Sequence, residues 1–113
     1  MKISLVVPLY NEELTVEVFY RAIREHCGLQ RWSIEIVFVD DGSQDQTSRL
    51  AKAIADADEQ VVLLTFSRNF GKEAALIAGI EYATGDAVIP VDVDLQDPIC
   101  VIERLIEAWR EGA

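Results

Sequence analysis

Four short apolar runs punctuate the chain, at residues 3–8, 34–39, 61–66 and 87–91. Each is rich in valine, isoleucine or leucine and nearly continuous rather than alternating. That is how strands of a parallel sheet, covered on both faces, read in sequence. Between and after them, apolar residues recur at helical spacing. Leu14, Val18, Phe19, Ala22 and Ile23 form one such set, and Leu50, Ala53, Ile54 and Ala57 a second. Ala75, Ile77, Ala78 and Tyr82 form a third, with small residues for close packing, and Ile102, Leu105, Ile106 and Trp109 a fourth. The order β-α-β-α-β-α-β-α, with no linker and no repeat, predicts one α/β domain: a Rossmann-like parallel sheet with flanking helices and right-handed crossovers. Asn11, Asp45 and the pair Asp97-Pro98 stand where helix caps belong.

Composition narrows this picture. A chain of 113 residues is long enough for one modest core. No apolar run approaches the roughly 20 residues of a membrane helix. Residues 1–8 lack the apolar region and cleavage site of a secretory signal and read as a strand. Twenty acids against ten bases give a formal net charge of −10, which argues against nucleic-acid binding, since that depends on lysine and arginine neutralising phosphates. Cys27 and Cys100 have no C-x-x-C spacing and read as two reduced, buried thiols of a cytosolic protein. His26 reads as a partly exposed residue at a helix end rather than half of a metal site.

In an open parallel sheet, ligands bind outside the carboxyl ends of the strands. The unusual chemistry of this sequence falls there. After the fourth run, Asp92 and Asp94 are two apart, so on an extended segment they point the same way. With the amide oxygen of Gln96 they make an all-oxygen set suited to magnesium or manganese, with positions left open for a diphosphate. The plainer alternative has Asp92 ending the strand, Asp94 making a turn and Asp97 capping the helix; for Asp97 that role is preferred. After the second run, Asp40 and Asp41 precede Gly42, where an Asp-Gly turn competes with hydrogen bonds to a base or ribose. After the first, Tyr10 offers a ring for stacking and Glu12 a carboxylate. Arg68 and Lys72 supply cations for phosphate contact or for simple charge pairing.

Taken together, VVPLYNEE, VDDGSQDQT, SRNFGKEAALIAGI and DVDLQDP, in this order and spacing, resemble the inverting family 2 glycosyltransferases with a GT-A fold. More narrowly they resemble the polyprenyl-phosphate branch, which includes dolichyl-phosphate mannose synthases and bactoprenol glucosyltransferases. The resemblance runs from Ile3 to about Pro98. It implies that Pro8, Tyr10, Glu12, Asp40 and Asp41 hold the base and ribose of a nucleoside-diphosphate sugar. It implies that Asp92, Asp94 and Gln96 bind Mn2+ or Mg2+, with Asp92 and Lys72 at the donor diphosphate. The acceptor would be a polyprenyl phosphate, the donor of UDP-glucose or GDP-mannose type, and the place the cytoplasmic side of a membrane. Where family members often read Asp-Pro-Pro-Glu, this chain has Asp97-Pro98-Ile99-Cys100, which bears on packing or acceptor approach. Family domains extend further, so residues 1–113 are expected to be the nucleotide-sugar-binding portion, inactive alone, with the general base beyond Ala113. Apolar surface left uncovered by such a portion would favour a homo-oligomer.

Three other readings compete. A non-catalytic nucleotide-sugar binding module would use the same base-side residues, and a glycosyltransferase with a polysaccharide acceptor would share the donor site. A phospho-acceptor signalling domain also clusters acids around magnesium at a sheet edge, but it needs an acidic pair after the first strand, where Tyr10-Asn11-Glu12 stands here.

Overall fold

The computed structural model describes residues 1–94 and 99–111. Four strands form one parallel sheet in the order β3-β2-β1-β4: β1 (Lys2–Leu9), β2 (Ser33–Asp40), β3 (Val61–Thr65) and β4 (Ala87–Pro90). The helices α1 (Val16–Glu25), α2 (Thr47–Ala57), α3 (Lys72–Tyr82) and α4 (Ile99–Arg110) alternate with them, and a 3-10 turn, Cys27–Arg31, leads into β2. The expected alternation is therefore the one observed.

Burial on both sides explains the continuous apolar runs. Ile3, Leu5, Val7 and Leu9 of β1 face one way, with Ile34, Ile36 and Phe38 of β2, and pack under α1, α2 and α4. Val6, Val37 and Val39 face the other way and meet Ala75 of α3. Phe19 and Phe38 touch edge to face, centroids 6.1 Å apart, at the centre of the larger core. Close approach on the α3 side depends on Gly79, where a Cβ would lie 2.4 Å from Val6 Cγ1.

Several helix faces differ from the sequence expectation. Leu14 precedes α1 and is 87% exposed, and Val18 is 62% exposed; Val16, Phe19 and Ile23 are buried instead. The chain spends residues 11–15 in a turn, Thr15 and Val16 both donating to the Glu12 carbonyl, so the helix starts later and in a different phase. Asn11 is accordingly no cap; it takes a positive φ of 53°, which asparagine tolerates better than most residues. On α3 the buried pair is Ala75 and Gly79, while Ile77 and Tyr82 face outward. On α4, Ile102 and Ile106 are buried, whereas Leu105, Trp109 and the free thiol of Cys100 are exposed. Cys100 thus lacks the burial expected of it, because it lies off the 102/106 stripe. Asp45 does serve the start of α2, accepting the Thr47 N–H at 2.9 Å. His26 ends α1 half-buried, paired with Glu103 of α4 at 2.9 Å. The Asp97 cap lies outside the described residues.

At the opposite end of the sheet from the strand-end acids, Glu35 is buried on β2 and accepts from Ser4 Oγ at 2.7 Å and from the Thr84 N–H and Oγ1 at 3.1 Å. Lys2 Nζ lies 3.4 Å away. Burial pushes the carboxyl up, but the hydrogen bonds from Ser4 and Thr84 and the Lys2 charge outweigh it and hold Glu35 below the usual carboxylate range. A depressed folded value means stability that is present above the unfolded pKa, about 4.3, and lost as pH falls through the folded one. Urea titrations should therefore show the midpoint falling below about pH 4.3. Glu35→Gln should lower stability at neutral pH by about 1–2 kcal/mol and fall less steeply with acid. An unchanged slope in the variant would count against this assignment.

Candidate functional site

β1, β2 and β3 follow one another outward from the middle of the sheet, after which the chain returns to place β4 on the other side of β1. The strand order therefore reverses between β1 and β4, and outside the carboxyl ends of strands at such a topological switch point an open α/β sheet binds its ligands. A cavity of about 230 Å³ opens there, lined by Pro8, Leu9, Tyr10, Glu12, Asp41, Lys72, Asp92, Val93 and Asp94. Pro8, Tyr10, Glu12, Asp41, Lys72, Asp92 and Asp94, singled out from sequence, thus share one space. A second cavity of about 320 Å³ adjoins it through Tyr10 and is lined by Asp40, Ser43, Gln44, Arg68 and Asn69 among others. Tyr10, 44% exposed, presents its ring at the junction. Gln96 lies outside the described residues.

Asp40 and Asp41 part company, as adjacent residues of an extended chain must. Asp40 accepts the Ser43 N–H at 3.1 Å, the local turn bond that competed with ligand contact in the sequence reading. Asp41, 3% exposed, accepts the N–H groups of Phe70 and Gly71 at 2.7 and 3.1 Å. It thereby ties the end of β2 to the start of α3. Gly42 completes the turn with φ 75°, and a Cβ there would lie 2.4 Å from the Arg68 carbonyl carbon. Both the conformation and the close approach require glycine.

The loops after β1 and β2 are stapled together. The Asn11 N–H donates to Ser43 Oγ and Asn11 Oδ1 accepts the Gln44 N–H, both at 2.9 Å. The Glu12 N–H donates to Thr47 Oγ1 at 2.7 Å, and the Gln46 N–H to Glu13 Oε2 at 3.2 Å. Sequence reasoning missed Asn11, Ser43 and Thr47 as positioning residues. The readable signal was an asparagine where a helix was expected to begin.

Lys72 Nζ lies 2.7 Å from Asp92 Oδ1. The hydrogen bond to Asp92, then its charge and that of Asp94, hold the lysine above its usual pKa. Arg68 turns away and stacks on the Phe70 ring, 5.0 Å from its centroid. Among the described residues no three His, Cys, Asp or Glu side chains converge as a metal cluster. Asp92 and Asp94 nonetheless offer hard oxygen donors on an open cavity, and Asp92 already carries a cation. That donor chemistry fits magnesium or manganese.

The sequence profile of glycosyl transferase family 2 matches residues 4–113. The chain belongs to that family. It is 58% identical, over all 113 residues, to a bactoprenol glucosyl transferase of Shigella phage SfX and to a prophage bactoprenol glucosyl transferase homolog of Escherichia coli K12, and it spans 37% of the length of each. Among solved structures, it is similar to a mannosyltransferase, PcManGT of Pyrobaculum calidifontis in complex with GDP-Man and Mn2+. The TM-score is 0.72, the identity 27%, and the match covers 85% of this chain and 32% of that one. S. aureus TarS 1-349 in complex with UDP-GlcNAc matches with a TM-score of 0.67 and 25% identity over 92% of this chain and 32% of that one. The parallel sheet with flanking helices is thus that of GT-A glycosyltransferases, as the family 2 resemblance implied.

Proposed function

We propose that this chain supplies the donor site of a metal-dependent, inverting glycosyltransferase that moves a sugar from a nucleoside diphosphate to a polyprenyl phosphate lipid. The observation that carries this reading is the convergence of Pro8, Tyr10, Glu12, Asp41, Lys72, Asp92 and Asp94 on one cavity at the switch point, in a member of glycosyl transferase family 2. The bactoprenol glucosyl transferases among the relatives support a bactoprenol acceptor and favour glucose. The nucleotides bound to the two solved structures support a nucleoside-diphosphate donor.

In this reading Tyr10 and Pro8 receive the base, with Glu12 and the β2-end loop alongside. Each Asp41 oxygen has a lone pair to spare beyond its amide bond and can accept from the ligand as well. Asp92 and Asp94 would hold Mn2+ or Mg2+, with Gln96 proposed as a further ligand. When bound, the metal supplies positive charge against which the diphosphate leaves. Lys72 adds a second positive charge at the same place. Among the described residues no helix is long and apolar enough to cross a membrane; a polyprenyl acceptor implies work at the cytoplasmic membrane surface.

The test is calorimetric titration of the folded chain with UDP and with GDP, each with and without Mn2+. It is paired with an assay of sugar transfer from UDP-glucose to polyprenyl phosphate by the full-length protein. Manganese-dependent nucleotide binding is expected, with UDP preferred, and so is a lipid-linked glucose product. A folded chain that binds neither nucleotide would sink the reading. Binding without transfer to any acceptor would favour the non-catalytic module.

A further inference from the structure

Lys72 occupies the first position of α3, an unfavourable place for a cation because the positive end of the helix dipole lies there. What holds its ammonium is Asp92 Oδ1, 2.7 Å away across the cavity. The backbone beneath is fixed: the Asp41 carboxylate accepts the amides of Phe70 and Gly71, the two residues before Lys72, and Gly71 turns the chain with φ 103°. The lysine is therefore presented to the acids by a clamped turn. Its partner is one of the two carboxylates assigned to the metal.

An oxygen that carries an ammonium cannot also take a divalent cation at full strength. Resting on the donor-site reading above, we propose that Lys72 is a resident counter-cation that makes metal and diphosphate bind as a coupled pair. When a divalent cation comes alone, Lys72 gives up its 2.7 Å bond to Asp92 Oδ1 at a helix N-terminus and gains no anion in return. When a diphosphate comes with it, Lys72 exchanges a carboxylate oxygen for a phosphate oxygen in the same cavity and loses nothing. The coupling is reciprocal: the factor by which nucleotide tightens metal equals that by which metal tightens nucleotide.

The experiment measures Mn2+ affinity with and without saturating UDP, in the wild type and in Lys72→Met, whose exposed site leaves folding intact, as a thermal scan verifies. In the wild type UDP should tighten Mn2+ by about 10- to 100-fold. In Lys72→Met, Mn2+ alone should bind roughly 2- to 5-fold tighter, the scale of an exposed ion pair, and the enhancement by UDP should shrink. Unchanged or weaker binding of Mn2+ alone in the variant would overturn the proposal while leaving the donor site standing. So would tightening by the same factor with and without UDP, which is what simple charge repulsion predicts. If neither protein binds Mn2+ or UDP, both the donor-site reading and this inference fail.

Discussion

Asp94→Asn is expected to abolish the manganese-dependent part of UDP binding, leaving the affinity measured in chelator, and to lower sugar transfer by the full-length enzyme on the order of 10²- to 10³-fold. The side chain is exposed on the switch-point cavity and lies outside both cores. Its replacement should therefore change folding stability by less than about 0.5 kcal/mol. That separation gives the prediction its force. Loss of binding in a protein with an unaltered urea midpoint assigns the carboxylate to the ligand; intact binding would return Asp94 to the role of a turn residue. EDTA on the wild type should reproduce the variant.

Asp41→Ala is expected to act through stability as well as binding. Removing the carboxylate strips the partner from two amides at once, those of Phe70 and Gly71. Charge-assisted bonds of this kind, half-buried as these are, make the expected cost roughly 2–4 kcal/mol. Asparagine would restore only one acceptor and set an amide donor against the other N–H, so Asp41→Asn should lie close to alanine. Urea titration checks the stability, and UDP calorimetry on protein still folded checks the site. If Asp41 served only the base, binding would fall while the urea midpoint stayed unchanged.

The strands were legible because burial on both faces leaves a signal in sequence that needs no knowledge of partners. The strand-end residues were legible for a related reason: a parallel sheet gathers all its carboxyl ends on one edge, whichever strands are neighbours. The phase of α1 was not. Leu14 and Val18 look like core residues until Asn11 is known to turn the chain and delay the helix to Val16. The face of α3 was legible only in part: Ala75 is buried as its place in the apolar set implied, whereas Ile77 and Tyr82 of the same set face outward and the helix closes on the sheet at Gly79. The division of labour between Asp40 and Asp41 was hidden. The partners of Asp41 lie 29 and 30 residues away, and only the packing of α3 against β2 brings them near.

The stapled loops after β1 and β2 bear on the thermodynamics of recognition. Side chains already satisfy backbone N–H groups across the gap: Ser43 that of Asn11, Thr47 that of Glu12, and Asn11 that of Gln44. On the proposed donor-site reading, an arriving nucleotide would meet a wall that is already built, and little chain entropy would be spent in ordering it. Adjustment at the cavity then falls to exposed side chains such as Tyr10. Discrimination between one base and another then rests on the shape of a fixed recess rather than on how readily the loops fold around it.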